Sequence, residues 1–186
     1  MEECGSKVNF FIKKIFVKMN FKLVIVYLKK NCRFDFMMKK LNFPEYIFKT
    51  SVIQEKLNIF DFVRKKYVLL TEEEWVRQHI LHYLIHEKEY PITMIIVEKS
   101  MRLNRTEKRA DILIYNKNSQ PAVLIECKAP TVKISQKVFE QIARYNMVYK
   151  VKYLMVTNGL QHFCCELDYE NSTWIFLNDI PAYSEL

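Results

Sequence analysis

Apolar residues fall in blocks along this chain, and two adjacent blocks are the clearest. Arg109-Ala-Asp-Ile-Leu-Ile-Tyr115 and Ala122-Val-Leu-Ile-Glu-Cys-Lys128 are rich in Ile, Val and Leu, and polar residues from Asn116 to Pro121 separate them. Short apolar runs around a turn segment predict a β-hairpin. A further strand is predicted over 92–99. Upstream, Thr71 can cap a helix, with Glu74 three residues on completing a capping box. Val76, Ile80, Tyr83 and Leu84 give that helix an apolar stripe, and it should run to about residue 88, ahead of Tyr90-Pro91. Downstream, Ser135 opens a second predicted helix to about 149, packed through Val138, Ile142 and Tyr149. Residues 152–157, 161–168 and 173–177 read as three more strands, with Asn158-Gly159 as a turn between the first two.

The ends of the chain read differently. Residues 41–71 carry Phe43, Tyr46, Phe48, Phe60 and Phe62, and are expected to wrap the domain, with one short strand over 60–67. Residues 1–40 alternate apolar clusters with lysines, and the longest apolar run, 23–28, has six residues. A membrane-spanning helix needs about twenty, so no stable membrane association is expected. This segment is read as a basic extension outside the fold, leaving one domain over 41–180. A basic amphipathic helix on a membrane or nucleic acid is the alternative.

Four charges interrupt the apolar hairpin: Arg109, Asp111, Glu126 and Lys128. Burying charge is costly, so charge at a strand end usually serves a purpose. Glu126 and Lys128 are two apart and share a face of their strand, with Cys127 on the other. Pairing through the short turn lets Asp111 lie near Glu126. Two carboxylates beside an ammonium make an oxygen-rich site suited to Mg²⁺ or Mn²⁺. His79, His82 and His86 also share one helix face. Three ligands on one straight helix splay over about two turns, roughly 10 Å, so they are read as exposed helix residues rather than a zinc site.

Composition narrows the classes. Only Gly5 and Gly159 are glycines, which excludes a P-loop, a GxGxxG loop and a GxSxG elbow, so no nucleotide-driven motor is expected. The net charge of +8 suggests nucleic acid, but residues 1–40 hold ten Lys/Arg against three Asp/Glu, and the rest holds nineteen against eighteen. Net charge therefore demonstrates no basic face on the domain. The five cysteines form no CxxC pair, which fits free thiols in a reducing cytoplasm.

Asp111, a gap, then Glu126-x-Lys128 resembles the PD-(D/E)xK nuclease superfamily. More narrowly, Lys108-Arg-Ala-Asp-Ile-Leu-Ile-Tyr115 and Ile125-Glu-Cys-Lys-Ala-Pro130 resemble the N-terminal nuclease domain of type I restriction enzyme R subunits. Leu41-Asn-Phe-Pro-Glu-Tyr46, Thr71-Glu-Glu-Glu-Trp-Val-Arg-Gln78, Gln141-Ile-Ala-Arg-Tyr145 and Tyr153-Leu-Met-Val-Thr-Asn-Gly159 extend the likeness over about 41–178. One departure is Ala110, where the superfamily motif has Pro.

The resemblance implies an α/β restriction-endonuclease-like core, a mixed β-sheet flanked by helices in the order α-β-β-β-α-β. It implies a Mg²⁺- or Mn²⁺-dependent DNA endonuclease without the helicase motor, with DNA and other restriction-modification subunits or a separate motor as partners. Asp111 and Glu126 would be metal ligands, with the Cys127 carbonyl as a third, and Lys128 would act on the attacking water and developing charge. A first-helix glutamate points into the metal site in such nucleases; Glu73 is the best match and Glu74 the second. The other reading of these glutamates is that they favour the positive helix N-terminus. Glu98 is either an acid beside the site or a solvated strand end. Gln141 and Tyr145 look like the QxxxY pair of the RecB-like branch, which contacts the substrate strand. Arg109, Lys108 and Arg144 are candidate phosphate contacts. The alternative function is a non-cleaving nucleic-acid-binding or assembly module that keeps the fold.

Overall fold

The two apolar blocks become the middle of a six-stranded sheet. The computed structural model describes residues 39–103, 106–135, 138, 142–143, 146 and 148–186, with backbone alone at 100–103 and 106–109. The strands are β1 (Thr50–Ile53), β2 (Lys56–Asp61), β3 (Lys66–Leu69), β4 (Ile95–Leu103), β5 (Thr106–Tyr115), β6 (Pro121–Cys127), β7 (Tyr153–Thr157), β8 (His162–Asp168) and β9 (Thr173–Leu177). Helix α1 spans Glu72–His86, between β3 and β4. The large sheet has the order β4-β5-β6-β7-β8-β9, and only β6 and β7 pair in parallel. A parallel pair needs a long crossover, and here Val138, Ile142, Ala143, Asn146, Val148 and Tyr149 are helical residues within it. The rest of the second predicted helix lies outside the described residues, as does 1–38 of the basic extension.

Strands β6 and β7 are almost wholly buried because apolar layers cover both faces. On one face Ile112, Ile114, Val123, Ile125 and Met155 cluster with Val76, Ile80 and Leu84 of α1. On the other, Leu113, Leu124 and Leu154 cluster with Ile142 and Val151. Ala110 joins Leu113 in the second cluster although they are three apart, so the alternation of faces slips around Asp111. Opposite this slip, Glu98 has φ 54 and falls between the pairs Val97↔Ile112 and Lys99↔Ala110. A non-glycine residue at positive φ inside a strand is strained backbone.

Several expectations are corrected. Residues 92–94 form a 3-10 turn, and β4 runs from Ile95 to Leu103, so Glu98 lies inside the strand rather than at its end. Residues 60–67 are not one strand but the end of β2, a turn over 62–65 and the start of β3. Asp61 Oδ1 accepts from the backbone N–H groups of Val63 and Arg64, at 2.8 and 2.7 Å, and Lys65 takes φ 53. The lead-in therefore builds its own antiparallel sheet, β1-β2-β3, and buries Leu57 and Ile59 in the α1 cluster. Thr71 Oγ1 does cap α1 by accepting from Glu74 N at 3.1 Å, but Glu74's carboxylate turns instead to arginines, so the box is half-formed.

Of the three helix histidines only His86 is exposed as expected; His79 is buried and His82 half-buried. His79 is 7% exposed, and Trp75, Phe48 and Tyr46 surround it at ring separations of 4.2, 4.7 and 6.2 Å. His82 packs on Phe48 and Phe62. The lead-in aromatics cover the face that helical spacing alone leaves open. Among the described residues no helix is long and apolar enough to cross a membrane.

Candidate active site

The site lies where β5 and β6 part. Their pairing stops at Ile112↔Ile125, while β6 stays paired with β7 through Cys127↔Thr157. In the notch, Cys127 N donates to Asp111 Oδ2 at 2.7 Å, so the Asp111 carboxylate takes a main-chain donor released by the split. Glu126 is the next residue along β6, 5% exposed, and accepts from Lys128 Nζ at 2.6 Å. The period-two spacing thus brings ammonium and carboxylate together on one side, while Cys127 packs into the α1 cluster.

Helix α1 completes the site from its first two turns. Arg77, 5% exposed, donates through Nη2 to Asp111 Oδ1 at 2.7 Å and to Glu73 Oε1 at 3.2 Å, and through Nη1 to Glu74 Oε2. A second guanidinium stands behind it. Arg64, in the β2–β3 turn, donates through Nε to Asp61 Oδ2 at 2.6 Å, through Nη1 to Glu98 Oε2 at 2.7 Å, and through Nη2 to Glu74 Oε1. Gln78 Nε2 bridges Asp61 Oδ2 and Glu74 Oε1, at 2.9 and 2.8 Å. Charges therefore alternate from Asp61 through Arg64, Glu74 and Arg77 to Asp111.

The electrostatics follow from burial. Loss of water, then the Asp111 charge beside it, pushes Glu126 up to about 7 against the attraction of Lys128. Glu73 is raised by the same two causes, opposed by Arg77 and Lys128. For Lys128, burial works downward, but its hydrogen bond to Glu126 and the charges of Glu126, Asp111 and Glu73 outweigh it and raise its pKa. Lys128 is thus held as an ammonium. The Cys127 thiol, fully buried, is raised well above its usual range, so it is no nucleophile.

The donors available to a hard cation here are the oxygens of Asp111, Glu126 and Glu73. Their chemistry fits Mg²⁺ or Mn²⁺, and a carboxylate destabilised up to about 7 is a group that a cation would relieve. As arranged, Arg77 holds Asp111 and Lys128 holds Glu126. Among the described residues no three His, Cys, Asp or Glu converge as a ready metal cage.

Asp111, Glu126, Lys128 and Glu73 are brought together. Glu98 reaches the group only through Arg64, and Glu74 serves the arginines. Arg109 lies on β5, its side chain, like that of Lys108, outside the described residues, as are Gln141, Arg144 and Tyr145. Sequence reasoning missed Arg77 and Arg64. Arg77 left a trace, since it stands three and four residues after Glu74 and Glu73 on the helix. Arg64 left none.

Residues 72–181 match the family model of the type I restriction enzyme R protein N terminus (HSDR_N). The chain belongs to that family. The match starts at the first residue of α1, so β1–β3 precede it. A solved structure, a fragment assigned to the HsdR subunit of a type I restriction enzyme from Vibrio vulnificus, is similar at 22% identity with a TM-score of 0.47. The alignment covers 63% of this chain and 24% of that one, so this chain matches about a quarter of its length. No curated protein matches the chain.

Proposed function

We propose that this R-protein N-terminal domain is a PD-(D/E)xK nuclease that hydrolyses phosphodiester bonds in DNA at Asp111, Glu126, Lys128 and Glu73. The observation that carries the reading is the β5/β6 notch, where Asp111 and Glu126 meet beside an ammonium with a helix glutamate facing them. A divalent cation at these carboxylates would neutralise the scissile phosphate and acidify the attacking water. Asp111 and Glu126 would hold it, with the Cys127 carbonyl and Glu73 as further oxygen donors. Lys128, held protonated, stabilises negative charge as it develops on the phosphate rather than taking a proton. The Cys127 N–H and Arg77 fix the rotamer of Asp111. Gln141 and Tyr145, at the spacing of the RecB-like branch, would orient the strand, and Arg109 would meet a phosphate. DNA choice and translocation would come from other restriction-modification subunits or a motor.

One observation favours a second reading, a non-cleaving nucleic-acid-binding or assembly module. The Arg77 guanidinium already stands on Asp111 Oδ1, where a cation would bind. Cleavage of supercoiled plasmid and circular single-stranded DNA with Mg²⁺, Mn²⁺ or EDTA separates the two. Metal-dependent nicking that is lost in both Asp111→Ala and Lys128→Ala establishes the nuclease. DNA binding without cleavage in the wild type favours the module, and cleavage surviving both substitutions removes this site.

A further inference from the structure

The β1–β3 sheet precedes the family match, yet it borders the site. A groove of about 410 Å³ lies between its edge strand β3 and the start of α1; Lys66, Tyr67 and Leu69 line it on the strand side, and Glu73, Glu74 and Arg77, with Arg64 and Glu98, on the other. Two features of the strand side of this groove and of the sheet behind it point to one kind of occupant. Residues 49–69 hold five Lys/Arg and two Asp/Glu, whereas the rest of 41–186 holds fourteen against sixteen. Within 41–186 the net positive charge is thus concentrated in this sheet's segment. Arg64 is spent on three carboxylates, but Lys65 and Lys66 are exposed and enter no ion pair with a described residue.

The second feature is aromatic. Tyr67 is 42% exposed, and Phe60 backs it edge-on at 5.3 Å, which holds the ring as a platform. Exposed Leu69 extends the apolar surface along the strand. Aromatic platforms interleaved with lysines suit an unpaired strand, because a base offers a π-face only when unstacked and the backbone supplies phosphates at close intervals. A stacked duplex offers no base face to Tyr67.

We propose that this groove binds a single polynucleotide strand leading to the carboxylate site, with Tyr67 stacked on a base and Lys65 and Lys66 on phosphates. The inference rests on the nuclease reading for its direction, but its test does not. Fluorescein-labelled single-stranded and duplex oligonucleotides of one sequence are titrated with the full chain in Ca²⁺ at several salt concentrations, and cleavage is followed separately in Mg²⁺. Tyr67→Ala should weaken single-strand binding about five- to hundredfold, with Tyr67→Phe within about twofold of wild type. Lys65→Ala/Lys66→Ala should make the single-strand salt slope shallower by about 1.4, the value for two phosphates. Circular dichroism of each variant guards against misfolding. Wild-type cleavage with single-strand binding unchanged in these variants overturns the groove and leaves the nuclease standing. Tyr67-dependent strand binding without cleavage sinks the nuclease and leaves the groove. Loss of duplex binding alone, or no binding by the wild type, overturns the groove.

Discussion

Glu126→Gln should stabilise the metal-free protein at alkaline pH, although it removes a carboxylate from the centre of the site. Glu126 is 5% exposed and titrates at about 7, against an ordinary 4.5. A raised carboxyl binds its proton more tightly folded than unfolded, so stability falls as pH rises from about 4.5 through about 7, and is level above. At about 1.4 kcal/mol per pH unit, the ionised form costs the fold about 3 kcal/mol at pH 8. The Lys128 attraction is already included in that balance, and relaxation will reduce the figure, so about 1–3 kcal/mol is expected. Thermal unfolding followed by circular dichroism in EDTA should show Glu126→Gln melting higher by about 2–10 °C at pH 8. At pH 5 the advantage should shrink to under about 1 kcal/mol, because wild-type Glu126 is then protonated in the fold. Mg²⁺ should raise the wild-type melting point at pH 8 and leave that of the variant unmoved. A variant less stable than wild type at pH 8, or a difference that ignores pH, would refute this account of the site.

Three further outcomes test the surrounding structure. Arg77→Met strands Asp111 and Glu74 without their buried partner and should cost about 3–5 kcal/mol by urea unfolding; adding Asp111→Asn should recover part of it in a double-mutant cycle. Burial holds His79 neutral in the fold, with its pKa lowered to about 4. The unfolded chain therefore takes the proton first, and stability should drain away as pH falls from 6.5 to about 4, by up to about 3 kcal/mol. His79→Phe should flatten that part of the pH–stability curve. Gly159 has φ +80, and a Cβ there would stand 2.8 Å from Leu41 Cδ2. Gly159→Ala should lower stability by about 1–2 kcal/mol, and a melting point equal to wild type would count against the packed turn.

What could be read from the chain were the features whose partners are close in sequence. The Ile- and Val-rich runs marked out β5 and β6, and the short turn between them was enough to expect Asp111 near Glu126. The capping threonine located α1 to within a residue at its start. Features decided by distant partners stayed hidden. The face of α1 carrying His79 and His82 looks polar until Phe48 and Phe62 are laid on it from some twenty or more residues upstream. The run 60–67 alternates well enough to pass for one strand, and its turn depends on the Asp61 side chain, with neither Gly nor Pro to mark it. The positive φ of Glu98 falls opposite Asp111, and no local pattern corresponds to it.

The charge count bears on the two functional readings. Among the described side chains, Asp61, Glu73, Glu74, Glu98, Asp111 and Glu126 meet Arg64, Arg77 and Lys128, six carboxylates against three cations, mostly buried. The excess is not spread evenly. Arg64 and Arg77 serve Asp61, Glu74, Glu98 and Asp111, Arg77 also reaches Glu73 at 3.2 Å and Lys128 holds Glu126, yet Glu126 and Glu73 are the two acids of the group whose pKa values are raised. A bare phosphate brought to that end would meet like charge and be repelled. On the nuclease reading, a divalent cation at Asp111, Glu126 and Glu73 would remove most of the excess and then attract the phosphate. The burial and the Asp111 charge that lift Glu126 are what such a cation would offset, which is why the Mg²⁺-dependent melting point tests the nuclease reading directly.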